Sequence, residues 1–245
     1  FAAEPISPEG RQLVEAVRAV PAPGAEVLVG GDAAGFADLM DMLEQRLPWM
    51  ALLVVLTTFV LLFLAFGSLI LPIKAIIMNV LSLSAAFGAV VWIFQDGRLT
   101  GLLDFTSTGN IDVVQPILIL AVAFGLSMDY EVFLLSRIRE RYLATGDNTR
   151  AVAEGIGITG GIITGAALIM VAVFGAFALS SVSLIKSLGF SMALAVLIDA
   201  TLVRGVLVPA FMRVMGSVNW WAPRWVQRGV ARVGLYEGAP EPARA

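Results

Sequence analysis

The sequence predicts an all-α polytopic membrane bundle of five transmembrane helices, joined to a small α/β remnant of a water-exposed domain. Two observations carry that expectation. Of 245 residues 58% are hydrophobic and 14% charged, with a mean hydropathy of +0.88, whereas a soluble domain has roughly 45–50% apolar and roughly 25% charged residues. The apolar residues fall into five long runs bounded by charged or loop residues, each able to supply the ~20 residues that a ~30 Å hydrocarbon core requires.

Composition also removes classes of chemistry. The sequence contains neither Cys nor His, so disulfides, thiolate metal sites and imidazole relays are excluded, and no metal or cofactor is expected. Proton chemistry is left to carboxylates, helped by Tyr or Lys. No constellation of nucleophile and base is visible, so an enzyme is not expected, nor is a nucleic-acid partner. The chain opens at Phe1 on residues that read like the middle of a soluble domain, and a fragment is expected.

In chain order, residues 1–31 read as that soluble remnant. Leu13, Val14, Val17 and Val20 recur at helical spacing between Ser7 and Val20. Pro21-Ala22-Pro23-Gly24 breaks the helix, and Glu26-Val27-Leu28-Val29-Gly30-Gly31 reads as a strand. Asp32 suits the N-cap of an amphipathic linker helix over 32–48, with Phe36, Leu39, Met40, Leu43 and Leu47 on one side and Asp38, Asp41 and Glu44 on the other. The transmembrane domain follows over 49–213, with spans 49–66, 72–94, 113–136, 155–179 and 184–212. Residues 214–245 read as an aromatic belt at Trp220, Trp221 and Trp225, a basic surface helix and a disordered tail. Lys74, Arg137, Arg139, Arg141, Arg150 and Arg213 cluster on one side of the spans, which places the third connector and the C-terminus in the cytoplasm.

The third span holds the costly residues. Asp129 and Glu131 interrupt an apolar run between Phe124 and Arg137, and an ionisable group near the bilayer centre costs at least ~2.5 kcal/mol, which makes it a functional candidate by default. Asp129 lies eight residues before Arg137, so about 12 Å inside the cytoplasmic boundary. Tyr130, ~100° further round, is expected to address a different neighbour, and Glu131 to lie at the wetter end. Gly125, one turn before Asp129, leaves room for another helix.

The fourth span carries Gly157, Gly161 and Gly165 at four-residue spacing, a smooth stripe for helix packing, with Thr159 and Thr164 adding hydroxyls. Thr164 sits at about the depth of Asp129, and a hydrogen bond or shared water between them is expected. Asp199 and Arg204 on the fifth span are five residues apart, a poor α-helical pairing, so each is expected to serve another helix, with Arg204 snorkelling toward the cytoplasm.

Taken together, Phe124-Gly125-Leu126-Ser127-Met128-Asp129-Tyr130-Glu131-Val132-Phe133-Leu134, Thr164-Gly165-Ala166-Ala167, Asp199-Ala200-Thr201-Leu202-Val203-Arg204, Leu207-Val208-Pro209-Ala210 and Asn219-Trp220-Trp221-Ala222-Pro223-Arg224-Trp225 resemble the MMPL family of the resistance-nodulation-division (RND) superfamily. The resemblance implies one RND-type half: the end of an extracytoplasmic porter domain and five spans, from the C-terminal half of a longer protein. It implies a multi-pass protein of the bacterial inner (plasma) membrane that exports lipids or other hydrophobic molecules, driven by the proton gradient. Asp129 and Tyr130 match the family's proton-relay pair, whose mate belongs to a missing N-terminal half. The supporting network would include Thr164, Asp199, Glu131, Thr159 and Arg204. The alternative is a non-pumping lipid- or sterol-sensing type of membrane domain with a structural Asp.

Overall fold

A computed structural model of the chain describes residues 8–24, 28–98, 100–103 and 114–223. The chain divides into two compact units, Phe1–Thr57 and Thr58–Ala245.

In the first unit, helix α1 (Pro8–Arg18) starts with Glu9 in its first turn and ends on Arg18, charges that complement the helix dipole. It lies against the beginning of α2 (Asp32–Phe66). Val14 of α1 buries itself with Ala34 and Ala37 of α2. Arg11 bonds to Asp41 at 2.6 Å and Glu44 at 3.2 Å, and Arg18 grips both oxygens of Asp38 at 2.7 and 3.0 Å. The acidic face of the expected linker is thus the docking face for α1. The expected strand is not seen: Leu28–Gly31 are not extended into one, residues 25–27 lie outside the described residues, and no strand occurs among those described.

Linker and first span form one helix of 35 residues with Pro48 inside it. A proline removes one backbone bond but need not end a helix entering an apolar medium, where every other backbone group is best satisfied within the helix.

The second unit continues with α3 (Ile70–Val90), whose last turn widens into a π-helical segment, Val91–Gln95, and a short α4 (Thr100–Leu103). Helices α5 (Val114–Thr145) and α6 (Asn148–Phe177) share the most extensive contact among the described elements. Only Gly146, at φ +68°, and Asp147 join them; Asp147 accepts from the backbone N–H groups of Thr149 and Arg150 and so caps α6. Helix α7 (Ser183–Ile198) passes into a π-helical stretch, Asp199–Leu207, then α8 (Val208–Met215) and a 3₁₀ turn, Gly216–Trp220. Five of the described helical stretches are long and apolar enough to cross a membrane: Asp32–Phe66, Ile70–Gln95, Gln115–Thr145, Asn148–Phe177 and Ser183–Trp220.

Two apolar clusters build the interior. One joins Met78, Leu134, Leu135, Ile138 and Val203; the other joins Leu83, Ala86, Ala123, Met192 and Ala195. Along α3, α5, and α7 with the π-helical stretch that continues it, the polar residues Asn79, Ser82, Ser127, Glu131 and Asp199 fall between members of the two clusters. A polar layer therefore lies between two apolar ones.

One end of the unit is stapled by side chains. Ser68 donates to the carbonyl of Asn219 at 2.6 Å and accepts from the N–H of Ile70, closing the turn into α3. Trp220 stacks on Tyr142 at 4.9 Å and donates to Asn148 at 3.0 Å, while Asn148 and Asn219 both donate to the carbonyl of Met212. Of the expected aromatic belt, Trp220 is committed to these contacts and Trp221 is exposed. Trp225, the basic helix and the tail lie outside the described residues.

Candidate functional site

Helix α5 is divided into two faces by its spacing. Ser127, Glu131, Leu134, Leu135 and Ile138 are all buried, at offsets of 4, 7, 8 and 11 from Ser127, which is one stripe of an α-helix. Asp129 is two residues from Ser127, about 200° round the helix, and is exposed on the opposite face. Among the described residues no hydrogen bond or ion pair is formed by Asp129.

Glu131 corrects the expectation of a wetter position. It is 4% exposed, and its Oε1 has no protein partner among the described residues. Its stripe carries it into the unit, whatever its distance from the helix end. Lys74, 5% exposed and with no hydrogen-bond partner for its Nζ among the described residues, interacts with it electrostatically across the interior. The sequence placed Lys74 only as an orientation marker; a cation four residues into an apolar helix was the signal of a buried one.

Asp199 and Arg204 are paired, not apart. Arg204 donates to Asp199 Oδ2 from Nε at 2.8 Å and reaches the same oxygen from Nη2 at 2.7 Å. The π-helical backbone over Asp199–Leu207 explains it, because bonding to the fifth residue along brings positions five apart onto one face. Arg204 is 5% exposed, so it does not snorkel. Ser127 donates to Asp199 Oδ1 at 2.9 Å, and Arg204 Nη2 donates to the carbonyl and, at 3.1 Å, to the hydroxyl of Ser127. The guanidinium also lies over the Tyr130 ring, 5.2 Å from its centroid. Tyr130 thus faces the Asp199–Arg204 pair from α5 while its neighbour Asp129 faces away.

These residues line a cavity of about 20 Å³, together with Asn79 and Ser82 from α3. Asn79 and Ser127 were not singled out in the sequence. A polar side chain inside an apolar span was the available signal.

The remaining candidates stand elsewhere. Thr159 is fully buried and donates to the carbonyl of Gly155 in its own helix at 2.8 Å. Thr164 is exposed and makes no bond to Asp129. Gly125, Gly157, Gly161 and Gly165 have open space where a Cβ would be; the close approaches are at Gly155, where a Cβ would meet Ile138 Cγ1 at 2.5 Å, and Gly189, where it would meet Phe174 O at 2.7 Å. The close α5–α6 contact thus lies at Gly155, two residues before the expected stripe begins at Gly157. Among the described residues no group of acidic side chains is arranged to hold a metal ion.

Comparison with known proteins places this arrangement. Residues 2–235 match the MMPL family. The chain is 47% identical over 238 residues to a membrane protein of Streptomyces coelicolor, covering 97% of this chain and 34% of that protein. It is 45% identical over 235 residues to the trehalose monomycolate exporter MmpL3 of Mycolicibacterium smegmatis, covering 94% of this chain and 23% of that protein. Against the mycolic acid-containing lipids exporter MmpL11 of the same organism it is 40% identical over 242 residues, 97% of this chain and 25% of that protein. The chain spans 23–34% of the length of these curated relatives. With the family match running across nearly all of it and five helices long and apolar enough to span a bilayer, this multi-pass membrane chain belongs to the MMPL family.

Proposed function

We propose that this chain is part of a proton-motive-force-driven exporter of lipids or other hydrophobic molecules in the bacterial inner membrane, with Asp129 as the intramembrane proton carrier and Tyr130 as its relay partner. The single observation that supports it best is the exposed carboxylate of Asp129, without a partner among the described residues, on the outward face of an apolar helix. A charge there is too costly to face lipid tails, so it calls for a polar surface from the rest of a longer protein. The names of the mycobacterial relatives, trehalose monomycolate exporter and mycolic acid-containing lipids exporter, support a lipid cargo. The buried guanidinium of Arg204 is held by Asp199 and Ser127, which leaves the charge on Asp129 to be neutralised by a proton.

Protonation of Asp129 lowers the cost of placing it in an apolar surrounding, and its release restores that cost. Cycling between the two states biases the helices toward opposite accessibilities. Tyr130 couples this movement to Arg204 through its ring. The α5–α6 connector and the C-terminus lie on the cytoplasmic side in this reading.

The test is proton flux in vesicles reconstituted with the full-length protein. Asp129→Asn should abolish substrate-coupled flux at normal protein abundance, and undiminished coupled flux overturns the reading. A structural Asp in a lipid-sensing domain would instead lower abundance and spare surviving activity. The lack of any bond from Asp129 to the described residues argues against that role.

A further inference from the structure

Asn79 has no part in the interactions described above, yet its position is demanding. The residue is 1% exposed, and neither Oδ1 nor Nδ2 has a protein partner among the described residues. Buried carboxamides in apolar surroundings are almost always hydrogen-bonded, because an unmet donor or acceptor there forfeits its solvation without return. Asn79 lines the cavity shared with Ser127, Tyr130, Asp199 and Arg204, and the Nη1 of Arg204 is also buried without a protein partner among the described residues. Two side chains on different helices thus bring unmet polar atoms to one space.

Size and chemistry define what fits between them. The cavity measures about 20 Å³, enough for a single water, which needs about 10–15 Å³ and two to four polar partners. Arg204 offers only a donor, while the carboxamide offers both donors and an acceptor. A water accepts from the guanidinium and donates to Asn79 Oδ1. A cation would meet Arg204, and an anion would meet Asp199, so a small neutral molecule is favoured. We propose that Asn79 and Arg204 hold a bound water that ties α3 to the Ser127–Asp199–Arg204 cluster, and that Asn79 is a positioning residue for proton coupling through that cluster.

The second half of the proposal rests on the function proposed above; the water itself does not. The experiment is a structure of the full-length protein in lipid nanodiscs at a resolution that shows ordered water, for the wild type, Asn79→Leu and Asp129→Asn. Density within hydrogen-bond distance of Asn79 and Arg204 Nη1, retained in Asp129→Asn and lost in Asn79→Leu, is expected. A dry cavity, or a carboxamide bonded directly to protein, overturns the site. Coupled proton flux is then compared at equal amounts of monodisperse protein. Asn79→Leu should lower it about tenfold, with substantial recovery in Asn79→Ser, whose hydroxyl leaves space for a second water. Wild-type flux in an Asn79→Leu protein that has lost the water overturns the positioning role. If Asp129→Asn keeps its flux while the water is present, the carrier assignment fails and the water site stands.

Discussion

Arg204 meets Asp199 at 2.8 Å from five residues along the same helix, and the π-helical turn between them is what makes the contact possible. The same guanidinium binds Ser127 of α5 and covers Tyr130. An irregularity in one helix thereby sets the register of two.

Arg204→Ala is expected to destabilise the protein by about 3 kcal/mol, because it leaves the Asp199 carboxylate, only 13% exposed, without its countercharge. Arg204→Lys should lose part of that, since an ammonium cannot span Asp199 and Ser127 with a planar fork. The double change Asp199→Leu with Arg204→Met should recover most of the stability. Unfolding of the full-length protein in mixed detergent micelles measures all three, and full stability in Arg204→Ala refutes the structural role of the pair.

The glycines divide into two groups by what surrounds them. Gly155→Ala drives a methyl into Ile138, and Gly189→Ala into the backbone of Phe174 and Ala178; each should cost about 1–3 kcal/mol. Gly157→Ala, Gly161→Ala and Gly165→Ala meet nothing within 4 Å in this chain, and their melting temperatures should not fall. If that open face packs against the rest of the longer protein, transport will fall while the fold holds.

The staple at Trp220 should be sensitive to its acceptor. Asn148→Ala removes the partner of the Trp220 N–H and one donor to Met212 O, an expected loss of about 1–3 kcal/mol. Trp220→Phe keeps the stacking on Tyr142 and should lose less. Thermal unfolding separates the two.

Acid should loosen α1 selectively. The hydrogen bond from Arg18 holds the Asp38 carboxyl below its ordinary range, so the pair contributes above the unfolded-state pKa and is lost as pH falls through the folded one. Both side chains are partly solvated, and the effect is small. Amide-exchange protection of α1, compared between about pH 6 and about pH 3, should fall in the wild type and be already low in Asp38→Asn.

The sequence by itself determined that this is a membrane chain, because 58% hydrophobic residues gathered into runs of membrane length have no other stable medium. It also marked the residues worth attention, since Asp129, Glu131, Asp199 and Arg204 are expensive in lipid wherever they point. Where they point was decided by tertiary structure. In water an amphipathic pattern tells a buried face from an exposed one, but a spanning helix is apolar on both faces, so periodicity does not separate them. Hence Asp129 lies outward and Glu131 inward, two residues apart. The α5–α6 contact runs through Gly155, not Gly157, and a π-helical register, for which side-chain patterning has no signature, joins Asp199 to Arg204.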